Sequence, residues 1–329
     1  MIELAQIAKL RLHRKPFGQL AMAELALRWD YALPRKTDIV IENLEGIPKD
    51  RQVFLAMNHT DRYNYWPFQY ALHRAGWPYT ATWVKGKYYD RPWMARFMDS
   101  TNNIPVPSRG YLLVGDFRKE FGRKTSDDEY RFLRNVVDGL GDLEESQLLG
   151  QTSEIQRFIG ERGGSLAAFR RDFEARFEPL IDQVIRLNRE AICELGLNVL
   201  VFPQGTRSVR LSRGHTGLVQ MASHLGAAIV PIGCNGSDQV YPGNSPFAKG
   251  GRIVYRVGQP LECTGPELAP HAVREPFKPL TRHAAEEHGA AFAAATAVVM
   301  AHINALLDPP YQFDAAQNSG GAQGAARFL

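Results

Sequence analysis

Two short stretches of this chain carry side chains whose types and spacing could do chemistry. One is Asn58-His59-Thr60-Asp61-Arg62-Tyr63-Asn64, the other Phe202-Pro203-Gln204-Gly205-Thr206-Arg207-Ser208. In the first, an imidazole is followed closely by polar side chains able to fix its tautomer, which a general base acting on a hydroxyl requires. In the second, a glycine lets the backbone approach an anion, a hydroxyl can donate, and a guanidinium can grip phosphate through two hydrogen bonds. Each has a plainer alternative when taken alone, because loop histidines are commonly structural and Gly-Thr-Arg is an ordinary loop sequence.

Both stretches must sit at strand ends for the chemistry to be shared. Ile39–Ile41 reads as a strand, followed by a turn at Gly46–Pro48 and an apolar run, Val53–Met57, that ends in Asn58-His59. A helix then begins near Pro67, a favoured first helical residue, with Phe68, Ala71 and Leu72 on one side. The alternation recurs: strand Tyr79–Lys85, helix Pro92–Met98, strand Ile104–Val106, then helix Leu180–Leu195, strand Asn198–Phe202, helix Thr216–Leu225 and strand Ala228–Ile232. Such alternation implies an α/β fold, a mainly parallel central sheet flanked by helices, with function collected at the carboxyl ends of the strands.

Between residues 111 and 179 the pattern is helical. Ser126-x-x-Glu129 and Ser153-x-x-Gln156 have the form of capping boxes, and Leu166, Phe169, Phe173, Phe177 and Leu180 recur at helical spacing. An aromatic stripe of this kind belongs to core packing, with a lid facing a lipid tail as the alternative. This segment reads as a helical subdomain inserted into a domain running from 37 to 310. An N-terminal helical arm, residues 1–36, precedes it, broken near Pro16. A loose tail, 311–329, follows.

The arm places Lys9, Arg11, Arg14 and Lys15 beside Phe17, Leu20, Leu25, Leu27, Trp29 and Tyr31. Basic and aromatic residues so arranged suit a helix in the lipid headgroup region. A helical hairpin packed on the domain with a solvated basic face accounts for them equally well.

The two motifs, in this order, resemble the glycerolipid acyltransferase superfamily, typified by 1-acylglycerol-3-phosphate acyltransferases. Its signature is Asn-His-x4-Asp, then Phe-Pro-Glu-Gly-Thr-Arg-Ser, then Val-Pro. Lys85 followed by Pro92-Trp93, Ile104-Pro105-Val106 with Arg109, and Ile229-Val230-Pro231-Ile232 resemble the remaining blocks. The resemblance covers about residues 37–110 and 180–260, and the inserted helical segment is longer than is usual there.

The resemblance implies that His59 deprotonates the hydroxyl of an acyl acceptor, which attacks the thioester of acyl-CoA or acyl carrier protein. Gly205, Thr206 and Arg207 would hold the acceptor's phosphate, with Gln204 beside them and Arg109 as a second cation. No metal or further cofactor is implied, and no covalent acyl-enzyme. The expected partners are the acyl donor, a lysophospholipid and a membrane surface.

Two positions depart from the signature. Asn64 stands where the family has the aspartate that orients the histidine, and Gln204 where it has glutamate. An amide can accept a hydrogen bond from the imidazole, but it cannot stabilise the imidazolium. The same change in a Ser-His-Asp triad lowers turnover about 10⁴-fold. Three accounts stay open: Asp61 orients the ring instead, Asn64 suffices because a thioester is an activated donor, or the domain holds lipid without turning it over. Asn64 could also be a plain helix N-cap.

His215, in Arg213-Gly214-His215-Thr216-Gly217, could approach the same pocket, although a loop position near a helix start explains it as well. Arg210 and Arg213 could add positive potential or simply face solvent.

The rest of the chain narrows the classes. Its 329 residues are 44% hydrophobic and 22% charged, an ordinary globular composition, and a net charge of +4 is too small to argue for nucleic acid. Cys193, Cys234 and Cys263 lie far apart without a CxxC pair, so neither a disulfide framework nor a zinc site is indicated. Glu3 interrupts the first apolar stretch, arguing against a secretory signal. The charge-free run from 289 to 307 is alanine-rich and reads as a buried helix rather than a membrane span. These observations favour a cytoplasmic location, peripheral at the inner face of the membrane. The expected function is O-acylation of a lysophospholipid. The alternatives are a non-catalytic lipid-binding relative and an acyltransferase for another alcohol or amine acceptor.

Overall fold

The computed structural model describes residues 1–141 and 144–314. Seven strands form one sheet in the order β1-β7-β6-β2-β5-β3-β4, where β1 is Thr37–Glu42, β2 Phe54–Met57, β3 Thr80–Lys85, β4 Asn103–Val106, β5 Asn198–Val201, β6 Ile229–Asn235 and β7 Gly251–Val257. The five strands from β6 to β4 are mutually parallel, as the alternating pattern implies. β7 runs antiparallel to β6 and parallel to β1, so the last two strands reverse direction. The sequence reading did not assign β7, although Ile253, Tyr255 and Val257 alternate inward along it.

β2, β5 and β6 are buried at every residue, as strands covered on both faces must be. The period of two sorts their side chains cleanly. Phe54, Ala56, Val199 and Val201 join a core with the inserted helices and the C-terminal helix Arg282–Ala305. Val53, Leu55, Met57, Leu200, Val230 and Ile232 join a second core on the opposite face, with Phe68 and Leu72 of the helix Tyr65–Arg74 and with Leu27 and Tyr31 of the arm.

The inserted segment comprises the helices Arg109–Phe121, Asp127–Asp138, Glu145–Leu149, Ser153–Gly160 and the long Leu166–Arg189. Ser126 and Glu129 form the expected capping box. The second box is displaced by one residue: Thr152 is the cap and accepts from the Ile155 N–H, while Gln156 turns to the Leu149 and Gln151 carbonyls. Leu166, Phe169, Phe173, Phe177 and Leu180 are all buried, so the aromatic stripe is core packing. The helix expected over Leu180–Leu195 is the second part of a longer one: Leu166–Arg189, with Pro179 inside it, runs on through a wider turn to Leu195.

The arm is packed on the domain along one side, burying Ile2, Ile7, Leu10, Leu12, Leu27 and Tyr31. Pro16 directly precedes the helix Phe17–Ala21, which continues to Asp30. At the other end Tyr311, expected to begin a loose tail, is buried and donates its hydroxyl to Asp238. The remainder of that expected tail, 315–329, lies outside the described residues. No helix among the described residues is long and apolar enough to cross a membrane.

Candidate active site

β2 and β5 are neighbours, and their carboxyl ends deliver the two motifs to one place. The junction is built of hydrogen bonds. Asn58, the first residue beyond β2, is buried and pairs its amide with both backbone groups of Cys234 on β6: Nδ2 donates to the carbonyl at 2.9 Å, and Oδ1 accepts from the N–H at 2.7 Å. Its side chain thus continues the β2–β6 ladder by one step. From there the loop turns back on itself, because Asn64 Nδ2 donates to the Asn58 carbonyl at 2.8 Å, while the Tyr255 hydroxyl holds the Asn64 carbonyl at 2.6 Å.

That arrangement orients the histidine. With Nδ2 committed to a carbonyl, Asn64 presents Oδ1 to His59 Nδ1 at 3.1 Å. An amide oxygen can only accept, so Nδ1 carries the proton and Nε2 is left with the lone pair a base needs. Asn64 precedes the helix Tyr65–Arg74 yet makes no capping bond with its side chain, which removes the N-cap account. The half-buried ring stacks on Phe202 of the second motif, centroids 4.2 Å apart. Burial pushes the imidazole down to about 3, Arg207 and Lys85 add to that shift, and the Asn64 hydrogen bond opposes it. His59 is therefore neutral at physiological pH.

Asp61 does not orient the ring. Its carboxylate accepts from the Tyr63 N–H at 2.8 Å and the Thr60 hydroxyl at 2.9 Å, and burial raises its pKa. It shapes the turn on which His59 sits.

Gln204 is likewise no phosphate ligand in this arrangement. It is buried, Oε1 accepts from the His59 backbone N–H at 2.9 Å, and Nε2 donates to the Ser212 hydroxyl at 3.1 Å. A second tie runs from the Ser208 N–H to the His59 carbonyl at 2.8 Å. Gln204 thus staples one motif to the other. Replacing it with leucine is expected to lower stability by about 2 kcal/mol, since the His59 N–H loses its acceptor. Gln204→Glu, which keeps that acceptor, should lose less. Denaturant midpoints of the two variants test the ordering.

Gly205 has φ +64°, and a Cβ there would lie 2.8 Å from His215 Cδ2, so the turn needs glycine both for its conformation and for the ring against it. His215 thus approaches the second motif closely. Thr206 is half-buried and Arg207 exposed on the same loop. Arg210 instead reaches the Pro309 and Gln312 carbonyls, and Arg213 faces solvent.

Arg109 is a correction. Its guanidinium is engaged by both carboxylate oxygens of Glu174 and by the Val137 carbonyl, and it lies over the Phe177 ring. This pairing ties the first inserted helix, Arg109–Phe121, to the long one, Leu166–Arg189, so the arginine is engaged in packing. The positive groups gathered near the two motifs are instead Arg207, Lys85, Lys87 and Arg62. Lys85 and Arg207 act on His59, while Lys87 is pushed down by burial and by Arg207 and Arg62, with Asp90 opposing. Arg62 Nε is buried without a hydrogen-bond partner. Lys85 ends β3, which neighbours β5 in the sheet, and Lys87 lies in the turn just beyond it; the sequence reading named Lys85 only as part of a family-like block and did not name Lys87. Among the described residues no group of His, Cys, Asp or Glu is arranged to hold a metal ion.

Fold and site together define an α/β protein with a neutral, tautomer-fixed imidazole and a cationic cluster at the carboxyl ends of its central parallel strands. No protein-family model matches the chain, and no curated protein matches it. Among solved structures it is similar to the 1-acyl-sn-glycerophosphate (LPA) acyltransferase PlsC from Thermotoga maritima. That similarity has 15% identity over 92% of this chain and 78% of that one, at a TM-score of 0.42.

Proposed function

We propose that this chain is a membrane-associated O-acyltransferase that moves a fatty acyl group from acyl-CoA or acyl carrier protein to the hydroxyl of a lysophospholipid of the 1-acylglycerol-3-phosphate type. The observation that carries the reading is the convergence on one site of a tautomer-fixed neutral imidazole and the Gly205-Thr206-Arg207 loop. His59 Nε2 takes the proton of the acceptor hydroxyl as its oxygen bonds to the thioester carbonyl carbon. The tetrahedral species then collapses with loss of the C–S bond, and the proton passes from the imidazolium to the departing thiolate. Arg207, with Lys85, holds the acceptor's phosphate. Incubating the purified protein with labelled acyl-CoA and lysophosphatidic acid tests this. Phosphatidic acid formed equally by wild type and His59→Ala discards the enzyme, leaving the lipid-binding alternative. An unchanged acceptor KM in Arg207→Ala would instead point to an acceptor without phosphate.

Membrane association is supported by the outer side of the arm. Phe17, Leu25, Trp29 and Leu33 are 60–77% exposed there, interspersed with the exposed Lys15, Arg28, Arg35 and Lys36. Their apolar bodies and neighbouring cations match an anionic headgroup region, which supports a peripheral location at the inner membrane face. Leu25→Ser combined with Trp29→Ser removes two side chains worth about 2 kcal/mol of burial each. The double variant is expected to reduce sedimentation with phosphatidylglycerol vesicles at least about tenfold at unchanged thermal stability. If these residues only decorate a solvated surface, binding stays as it was.

A further inference from the structure

The proton transfer proposed above, on which this inference rests, leaves one charge uncompensated. When His59 takes a proton it becomes an imidazolium, and the group on its other nitrogen is the neutral amide of Asn64. The carboxylate on the same loop, Asp61, is turned to Tyr63 and Thr60. Behind Asn64, Cys234 and Tyr255 are raised by burial and stay neutral, as does Tyr65, which meets the edge of Phe202. Toward the second motif, His215 lies on Gly205, and Lys87 and Arg62 extend the field of Arg207, with Asp90 acting on Lys87. Among the described residues, the charges acting on His59 are those of Arg207 and Lys85, both of a sign that opposes protonation.

We propose that the acceptor's own phosphate, bound as a dianion by Arg207 and Lys85, supplies the negative charge that Asn64 lacks, so that the substrate headgroup assists the proton transfer as well as anchoring the lipid. Seating a dianion there neutralises two repulsions and introduces an attraction, and an opposite charge within about 4–6 Å favours the protonated imidazole. The phosphate neither gains nor loses a proton. It follows that the second charge on the headgroup matters to the chemical step: a phosphomonoester acceptor reacts fast, and a phosphodiester of the same shape binds but reacts slowly.

Sulfate and methyl sulfate separate this effect from acyl transfer, since they carry similar oxygens with two charges and one. The titration of His59 is followed by its Cε1 proton resonance, assigned by its loss in His59→Ala, in sodium sulfate, methyl sulfate and chloride at equal ionic strength. The expected midpoint in sulfate is higher than in chloride by at least about one pH unit, with a smaller rise in methyl sulfate and none in Arg207→Ala. Asn64→Asp should raise the midpoint in chloride and leave sulfate little to add. Sulfate that perturbs the Arg207 guanidinium resonances while His59 titrates as before overturns the proposal and leaves the acyltransferase reading intact. Sulfate that does not bind at Arg207 overturns the proposal together with the phosphate grip, and product formation then judges the acyl transfer separately. In turnover, replacing the phosphomonoester acceptor by its methyl diester should lower wild-type kcat at least about tenfold with a smaller change in KM, and the gap should narrow in Asn64→Asp. An equal gap in the two proteins overturns the idea.

Discussion

Replacing His59 with alanine is expected to lower the rate of acyl transfer by about 10²–10⁴-fold, the usual contribution of a positioned general base, while the protein stays folded. The two effects separate because the loop is held through groups that alanine keeps. The His59 backbone N–H still donates to Gln204, its carbonyl still accepts from the Ser208 N–H, and Asn58 still pairs with Cys234. What is lost is the ring, its stacking on Phe202 and the Nε2 lone pair. Thermal unfolding should therefore move little while the initial rate collapses. The pH profile adds a second check. Because burial pushes the free imidazole down to about 3, His59 is already in its basic form throughout the range in which the protein would be assayed. The profile of kcat/KM, which reports the free enzyme and free substrate, should show no acidic limb from this histidine above pH about 5. A limb near pH 6 would belong to the second ionisation of the acceptor's phosphate, and should vanish with a phosphodiester acceptor. A limb that persists with both acceptors and disappears only on replacing His215 would move the base assignment to that residue.

How far the site was legible depends on how local each determinant is. His59 and the Gly205-Thr206-Arg207 loop could be read because strand, loop and helix follow one another in the chain, and the alternation says where loops collect. The amide that holds His59 Nδ1 is also local, five residues away, yet choosing between Asn64 and Asp61 needed the path of the turn, which the Tyr63 N–H and the Asn58 carbonyl decide. Gln204 was read beside the expected phosphate site because it adjoins Gly205-Thr206-Arg207 in the chain. Its actual partner, the His59 N–H, is fixed by the register of β5 against β2, a relation between segments 145 residues apart. Arg109 failed for the same reason in reverse. It stands close in sequence to β4, but Glu174 from the inserted segment draws it away, and no local pattern encodes that pairing. The alternating Ile253, Tyr255 and Val257 of β7 were visible in the sequence and went unassigned, whereas its reversed direction was not visible at all.

Asn58→Leu is expected to have the largest effect on stability of any substitution in the loop, about 3 kcal/mol, and to remove activity with it. Each hydrogen bond of this side chain serves a buried backbone group. The Cys234 N–H and carbonyl point to the β2 side of the strand, where β2 has already ended at Met57, and the Asn58 amide stands in for the missing peptide. Leucine fills a similar volume, excludes water and pairs with neither group, so two polar atoms are left buried without partners at about 1–3 kcal/mol each. Alanine should be milder, because the space it opens can admit a water molecule to bridge the same atoms. Asn58→Asp keeps the acceptor for the N–H but sets a carboxylate against the Cys234 carbonyl. It should fall between the two at acidic pH, where the protonated acid can donate, and lose stability as the pH rises and the acid ionises. Chemical denaturation at two pH values distinguishes this ladder bond from simple packing, since a packing role would rank leucine best and show no dependence on pH.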